Sequence, residues 1–213
     1  MFFEILVEGG ADRPAVCEIL QRRFGLQDGL GFRIHPHKGK GNLPGNALAR
    51  PNSKHRGLLD QLPAKLRGMS WMGMDYCVVV LVDADAENCI ELKRRLVALY
   101  QALDRKPAQV LFRIAVEETE SWFIADPVAV KKAYPTANIT PLKKIKPDAV
   151  VGAWEHLAES LKKKPIQCRG PDKYQWAQQI CPHLNLDTPI SPSLRTFING
   201  IERCLGVTVH SPL

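Results

Sequence analysis

No stretch of this 213-residue sequence stays apolar long enough to span a bilayer, and no basic-then-apolar leader with a cleavage site opens it. A cytoplasmic protein that does not touch the membrane is the expectation. No C-x-x-C pair occurs either, because Cys17, Cys77, Cys89, Cys168, Cys181 and Cys204 are scattered. That excludes the usual zinc spacings and speaks against a disulfide scaffold in a chain this long, leaving reduced core thiols. Cys181 and His183 are near neighbours but lack a second pair. Internal repeats and low-complexity tracts are missing too, which sets aside solenoids and biased tails. Nor is there a P-loop: Gly39-Lys40 is followed by Gly41 where that motif needs Ser or Thr.

What is present is an ordinary folding composition, 45% hydrophobic and 24% charged, enough for one α/β domain with or without a helical appendage. The net charge of +7 is unevenly spread. Lysine concentrates between Lys131 and Lys173, in "KKAY", "LKKIKP" and "LKKKPIQCRGPDKY", while acids gather earlier. Solvated helix faces account for this, and so does a track for a nucleic-acid backbone.

Hydrophobic periodicity predicts strands at residues 2–7, 32–37, 76–82 and 110–116. Between them, helical spacing predicts a helix from Asp12 to about Phe24, one through Leu59, Leu62 and Leu66, and one through Leu92, Leu96, Leu99, Tyr100 and Leu103. Asp12 reads as the cap of the first. The order β-α-β-α-β-α-β implies a mostly parallel sheet with helices on both faces. Residues 1–135 form that core in this reading. Residues 136–213 form a helical, lysine-rich extension packed on it, with stripes at Trp154, Leu157, Ala158 and Leu161 and at Leu194, Phe197, Ile198, Ile201 and Leu205. Ser191-Pro192 starts the last helix and Gly206 stops it.

Three of the strands end on acids. Glu8 and Gly9-Gly10 follow the first; Asp83 and Asp85 follow the third; Glu117, Glu118 and Glu120 follow the fourth. The carboxyl edge of an open parallel sheet is where ligands bind. Residues i and i+2 of an extended chain project to the same side, so Asp83 and Asp85 leave their strand together. Each acid could instead cap a following helix, as Asp126 before Pro127 does in this reading, but one helix start needs only one cap. Crowded carboxylates repel unless neutralised, and a hard cation, Mg²⁺ or Mn²⁺, suits an all-oxygen donor set.

These residues resemble a TOPRIM domain, the metal-binding fold of topoisomerases, primases and overcoming-lysogenization-defect (OLD) nucleases. The carriers are Glu8-Gly9 after the first strand, Asp12 at a second acidic position, and Asp83-Ala84-Asp85 after a later strand. Within the OLD branch the sequence is most similar to a family of uncharacterised proteins about this long. It shares with them V-E-G, the Gly39-Lys40-Gly41 loop, Glu120, Trp122 and Asp126, and Ser191-Pro192-Ser193, with Leu194 where an aromatic is usual. The resemblance implies metal-dependent phosphodiester cleavage of DNA or RNA, in defence or mobile-element loci beside an ATPase. It implies Glu8, Asp83 and Asp85 as catalytic residues, and Glu117, Glu118 or Glu120 as further metal ligands. Lys38 and Lys40, with Lys162, Lys163, Lys164 and Lys173, are the candidates for phosphate contact. Two rivals stand beside this reading: a non-catalytic subunit that docks an ATPase, and a receiver-type phosphoacceptor. The latter wants its acid pair on the first strand.

Overall fold

The computed structural model describes residues 1–48, 50–52 and 54–206. Four strands, β1 (Phe2–Val7), β2 (Phe32–Pro36), β3 (Tyr76–Asp83) and β4 (Val110–Ala115), form one parallel sheet in the order β2-β1-β3-β4. Eight α-helices surround it among the described residues: α1 (Asp12–Phe24), α2 (Leu58–Gly68), α3 (Cys89–Ala102), α4 (Glu120–Ile124), α5 (Pro127–Ala133), α6 (Ala153–Ser160), α7 (Gly170–Ile180) and α8 (Pro192–Cys204). None is long and apolar enough to cross a membrane.

The apolar runs of β3 and, apart from Glu4, of β1 are explained by burial on both faces. Phe3, Ile5, Val7, Cys77, Val79 and Leu81 point to one side, where Val16 and Ile19 of α1 and Phe197 and Ile201 of α8 meet them. Leu6, Val78, Val80 and Val82 point to the other, against Leu62 and Leu66 of α2 and Leu92 and Leu96 of α3. Each such side chain taken out of water contributes about 1.5–3 kcal/mol. Because α1 lies on one face and α2 and α3 on the other, the chain reverses its winding between β1 and β3. That is the place where a doubly wound sheet opens a crevice at its carboxyl edge.

The C-terminal helices all join the α1 face, and the core runs without a break from the sheet into α4 through α8. Trp122 of α4 is fully buried there, its Nε1–H donating to Ser193 Oγ at 2.9 Å and its ring tilted against Phe197. Leu194, in place of an aromatic, is 2% exposed in the same cluster. The caps at Asp126 and Ser191 form as expected, accepting from the Ala129 and Leu194 N–H groups. The cap at Asp12 does not: Ala11 precedes the helix, and Asp12 already lies in its first turn. β2 and β4 each stop a residue short of the expected end.

The loop holding Gly39-Lys40-Gly41 is folded hard against the start of α2. The Leu58 and Leu59 N–H groups donate to the Gly39 and Lys40 carbonyls, at 2.8 and 2.7 Å. Asp60 accepts from the Gly57 and Asn42 N–H groups. A Cβ on Gly57 would stand 2.5 Å from the Gly41 backbone, and Gly41 itself has φ of +67°. Gly57→Ala is therefore expected to destabilise the protein by about 2–3 kcal/mol, and Gly45→Ala, with open space around it, by less than about 0.5. Urea denaturation followed by circular dichroism measures both; equal effects would disprove the back-to-back contact.

Candidate metal centre

Glu8 leaves β1 and Asp83 ends β3, the two strands that flank the reversal. Glu8 Oε1 accepts the Asp83 N–H at 2.8 Å, so the two exits are pinned together. Asp12 reaches back from α1, accepting from the Gly9 N–H and from Thr119 Oγ1–H, both at 3.0 Å. Thr119 belongs to the segment after β4, which brings Glu118 and Glu120 to the same place. Asp12, Glu8, Glu120 and Glu118 all act on the charge of Asp83.

The exits of β3 and β4 are also joined directly. The Ala84 N–H donates to the Ala115 carbonyl and the Asp85 N–H to the Glu117 carbonyl, both at 2.8 Å. Asp85 and Glu117 adopt left-handed conformations, with φ of +50° and +65°, that non-glycine residues enter at a cost. This turn sends neighbouring side chains in different directions. Glu117 faces away from the other acids: its oxygens accept the Gly152 N–H and, at 2.9 Å, the Ala153 N–H, capping α6. Asp85 is exposed, beside Lys40, and does not project with Asp83 as an extended chain would have it. The structure thus gathers Glu8, Asp12, Asp83, Glu118 and Glu120, with Asp85 at the rim.

Crowding dominates the electrostatics. Burial pushes Glu8 up to about 7 against the Asp83 N–H bond, and repulsion from Asp12 and Asp85 adds to it. Glu118 is likewise raised to about 7, by burial and then by Glu120. Burial and its four acidic neighbours lift Asp83 well above the carboxylate range. Asp12 and Glu120 are raised chiefly by burial.

Two lysines offset part of this charge. Lys40 sits 2.9 Å from both Asp85 and Glu87 and donates to the Ala84 carbonyl at 3.1 Å. Lys173 of α7 lies 3.4 Å from Glu118 and 3.7 Å from Glu120, with its ammonium over the Trp154 ring. Burial works against both ammonium charges, and the carboxylates outweigh it. The other lysines lie elsewhere. Lys38 is exposed, as are Lys162, Lys163 and Lys164 beyond α6, where Lys163 pairs with Asp172 at 2.8 Å.

The donors are all oxygen, and Glu118 Oε2 is buried without a partner, which fits a hard cation. Among the described residues no three His, Cys, Asp or Glu side chains already close on one point. Sequence reasoning did not find Thr119, nor the part that Lys173 plays among the acids. It gave Asp12 only as a helix cap and as a matching acid. His37, whose Nδ1 lies 2.8 Å from the Val7 carbonyl at the exit of β2, was missed as well. Its Nε2 is buried without a partner, and Lys65 helps hold its pKa below the usual value, after burial.

Among solved structures, the C-terminal region of the Xanthomonas campestris pv. campestris OLD protein, phased with iodine, matches with a TM-score of 0.50 at 16% identity, over 98% of each chain. The C-terminal region of the Burkholderia pseudomallei OLD protein gives 0.48 at 16% identity, over 97% of this chain and 98% of that one. At such identity the first likeness speaks for the α/β fold alone. No curated protein matches the chain. A family model for a domain of unknown function, DUF4276, matches residues 7–202, and the chain belongs to that family.

Proposed function

We propose that the chain is a divalent-metal-dependent nuclease of TOPRIM type, with Mg²⁺ or Mn²⁺ as its cation. The observation that carries this reading is the imbalance at the sheet edge. Glu8, Asp12, Asp83, Asp85, Glu118 and Glu120 gather at one sheet edge, and among the described residues Lys40 and Lys173 are the cations that pair with them. The likeness in fold to OLD C-terminal regions supports it.

Asp83, Asp85, Glu118 and Glu120 would hold the cation, with Glu8 beside them as ligand or general acid/base. A divalent ion bound there lowers the pKa of water and offsets charge on the leaving oxygen. Glu8, poised near neutrality, can exchange a proton with water or with the leaving group. Asp12 and Thr119 keep the exits of β1 and β4 in register. Lys40 and Lys173, released from their carboxylates, are placed to meet phosphate oxygens. An ATPase partner and a setting in defence or mobile-element loci belong to the same proposal.

One observation favours the alternative, a non-catalytic subunit. Lys40 and Lys173 already neutralise part of the cluster, and no cage is preformed. Incubation with single- and double-stranded DNA and RNA, each with Mg²⁺ or Mn²⁺, separates the two. Cleavage that drops more than about 100-fold in both Asp83→Ala and Glu8→Gln is expected. Intact nucleic acid in every lane, with the ATPase neighbour also present, would establish the subunit reading.

The raised acids also set a pH dependence. Glu8 and Glu118 titrate near 4.5 when unfolded and near 7 when folded, so the folded chain holds protons that the unfolded chain has released. Stability is fully present below pH 4.5 and is lost as pH rises to about 7, by at most about 3 kcal/mol for each acid. Chelator-treated protein should melt lower at pH 7.5 than at pH 5.5. Millimolar Mn²⁺ should remove most of that difference, and Asp83→Ala should melt no lower than wild type without metal. A melting temperature that rises with pH in chelator contradicts the crowding.

The exposed lysines beyond α6 have their own measurement. Replacing Lys162, Lys163 and Lys164 with Gln is expected to weaken nucleic-acid binding for all sequences alike. The log–log salt slope should fall by about 0.7–0.9 for each lysine that meets a phosphate. Unchanged affinity and slope would leave these lysines as a solvated helix end.

A further inference from the structure

At the opposite end of the sheet from the acids, two thiols meet. Cys77 stands second in β3 and is fully buried; Cys204 is the last residue of α8 and is partly exposed. Their sulfurs are 3.5 Å apart across 127 positions of sequence. Beside them lies Arg113 of β4, only 5% exposed. Its Nη1–H donates to the Phe112 carbonyl at 2.8 Å, its Nε–H has no partner, and no carboxylate pairs with it among the described residues. Gly200 makes the room, since a Cβ there would stand 2.2 Å from Arg113 Nη2. Cys204 follows Gly200 by four residues, on the same helix face. A buried guanidinium with no paired acid favours negative charge nearby, and Arg113 acts in that sense on both thiols.

We infer that Cys77 and Cys204 form a peroxide-reactive pair, with Cys204 as the attacking thiol and Cys77 as the one that resolves it to a disulfide. The asymmetry is physical. Cys77 is closed inside the sheet, whereas Cys204 stands partly exposed at the end of α8, where a peroxide can reach it. Contact between the two sulfurs lowers the proton affinity of Cys204 against burial, helped by Arg113 and Arg203, and together with burial raises that of Cys77. The carbonyl end of α8 opposes an anion at Cys204, but the Leu205 and Gly206 N–H groups, which donate to the Ile201 and Arg203 carbonyls, blunt it.

The Cys204 thiolate attacks one peroxide oxygen and breaks the O–O bond, giving a sulfenic acid and a hydroxide that takes up a proton as water. The sulfur of Cys77 then attacks Sγ of Cys204 and expels the hydroxyl group, which leaves as water with the Cys77 proton. Two thiols and one hydrogen peroxide become one disulfide and two waters, the sulfurs losing two electrons and the peroxide gaining them. Closing the bond requires the sulfurs to approach by roughly 1.5 Å, within reach of a rotation at the final residue of a helix. The bond would tie α8 to the sheet, and α8 holds Trp122 two positions from Glu120.

The test uses the full chain, one equivalent of hydrogen peroxide, alkylation of remaining thiols and peptide mapping. The expected product has lost two hydrogens, links the Cys77 and Cys204 peptides, melts roughly 10 °C higher, and reverts with dithiothreitol. Cys77→Ser should leave a dimedone-reactive sulfenic acid at Cys204, and Cys204→Ser should give no linked peptide. Arg203→Gln, on an exposed side chain, should slow both oxidation and alkylation of Cys204. Prior oxidation at Cys17 or Cys89, or free Cys77 and Cys204 after treatment, would overturn the assignment. So would an Arg203→Gln protein that reacts as fast as wild type.

Discussion

Carboxylates buried together cannot all be charged at once unless something neutralises them. Here they meet because the sheet changes direction between β1 and β3. α1 leaves to one face, α2 and α3 to the other, and the opened edge receives Glu8 and Asp83 on adjacent strands. Each acid that burial brings in raises the proton affinity of the rest, so the cluster acts as one group whose charge depends on what neutralises it. In the protein alone, protons and two ammonium groups do so.

The C-terminal half is the clearest example. Trp122, Asp126, Ser191 and Ser193 read as a signature in the sequence, yet none of them touches the acids. Trp122 and Ser193 fasten α4 to α8, and Asp126 caps α5 while accepting the Asn185 N–H. Asp148 accepts from Ser191 Oγ and the Ser193 N–H at the start of α8. Their common effect is to fix the segment that carries Glu118 and Glu120. Motif residues of this kind act on the acids through position.

The strands and their order of appearance could be read from the sequence, because β1 and β3 are buried on both faces and so are largely apolar, and residues 110–116 show a similar run. The exits could be read as well, since an acid directly after such a strand stands at the sheet edge. Direction could not. Whether Glu117 or Glu118 points inward depends on a left-handed residue and on the α6 amides that Glu117 caps, contacts across more than thirty positions. The two aspartates after β3 looked equivalent by alternation, but the positive φ at Asp85 breaks the alternation after Asp83. Lys173 stood in a lysine-rich stretch with nothing local to set it apart. Only the packing of α7 across the sheet edge brings it to Glu118 and Glu120.

The hydrogen bond between the Asp85 N–H and the Glu117 carbonyl has a mechanical meaning. It couples two loops whose other ends are fixed to different things, Asp85 to Lys40 and Glu117 to the amides that open α6. A shift of the Asp85 backbone is therefore passed to the residue that caps α6, unless this strut breaks first. The carboxyl edge then takes a stiffness from its own loops, and the start of α6 is tied through them to the end of β3.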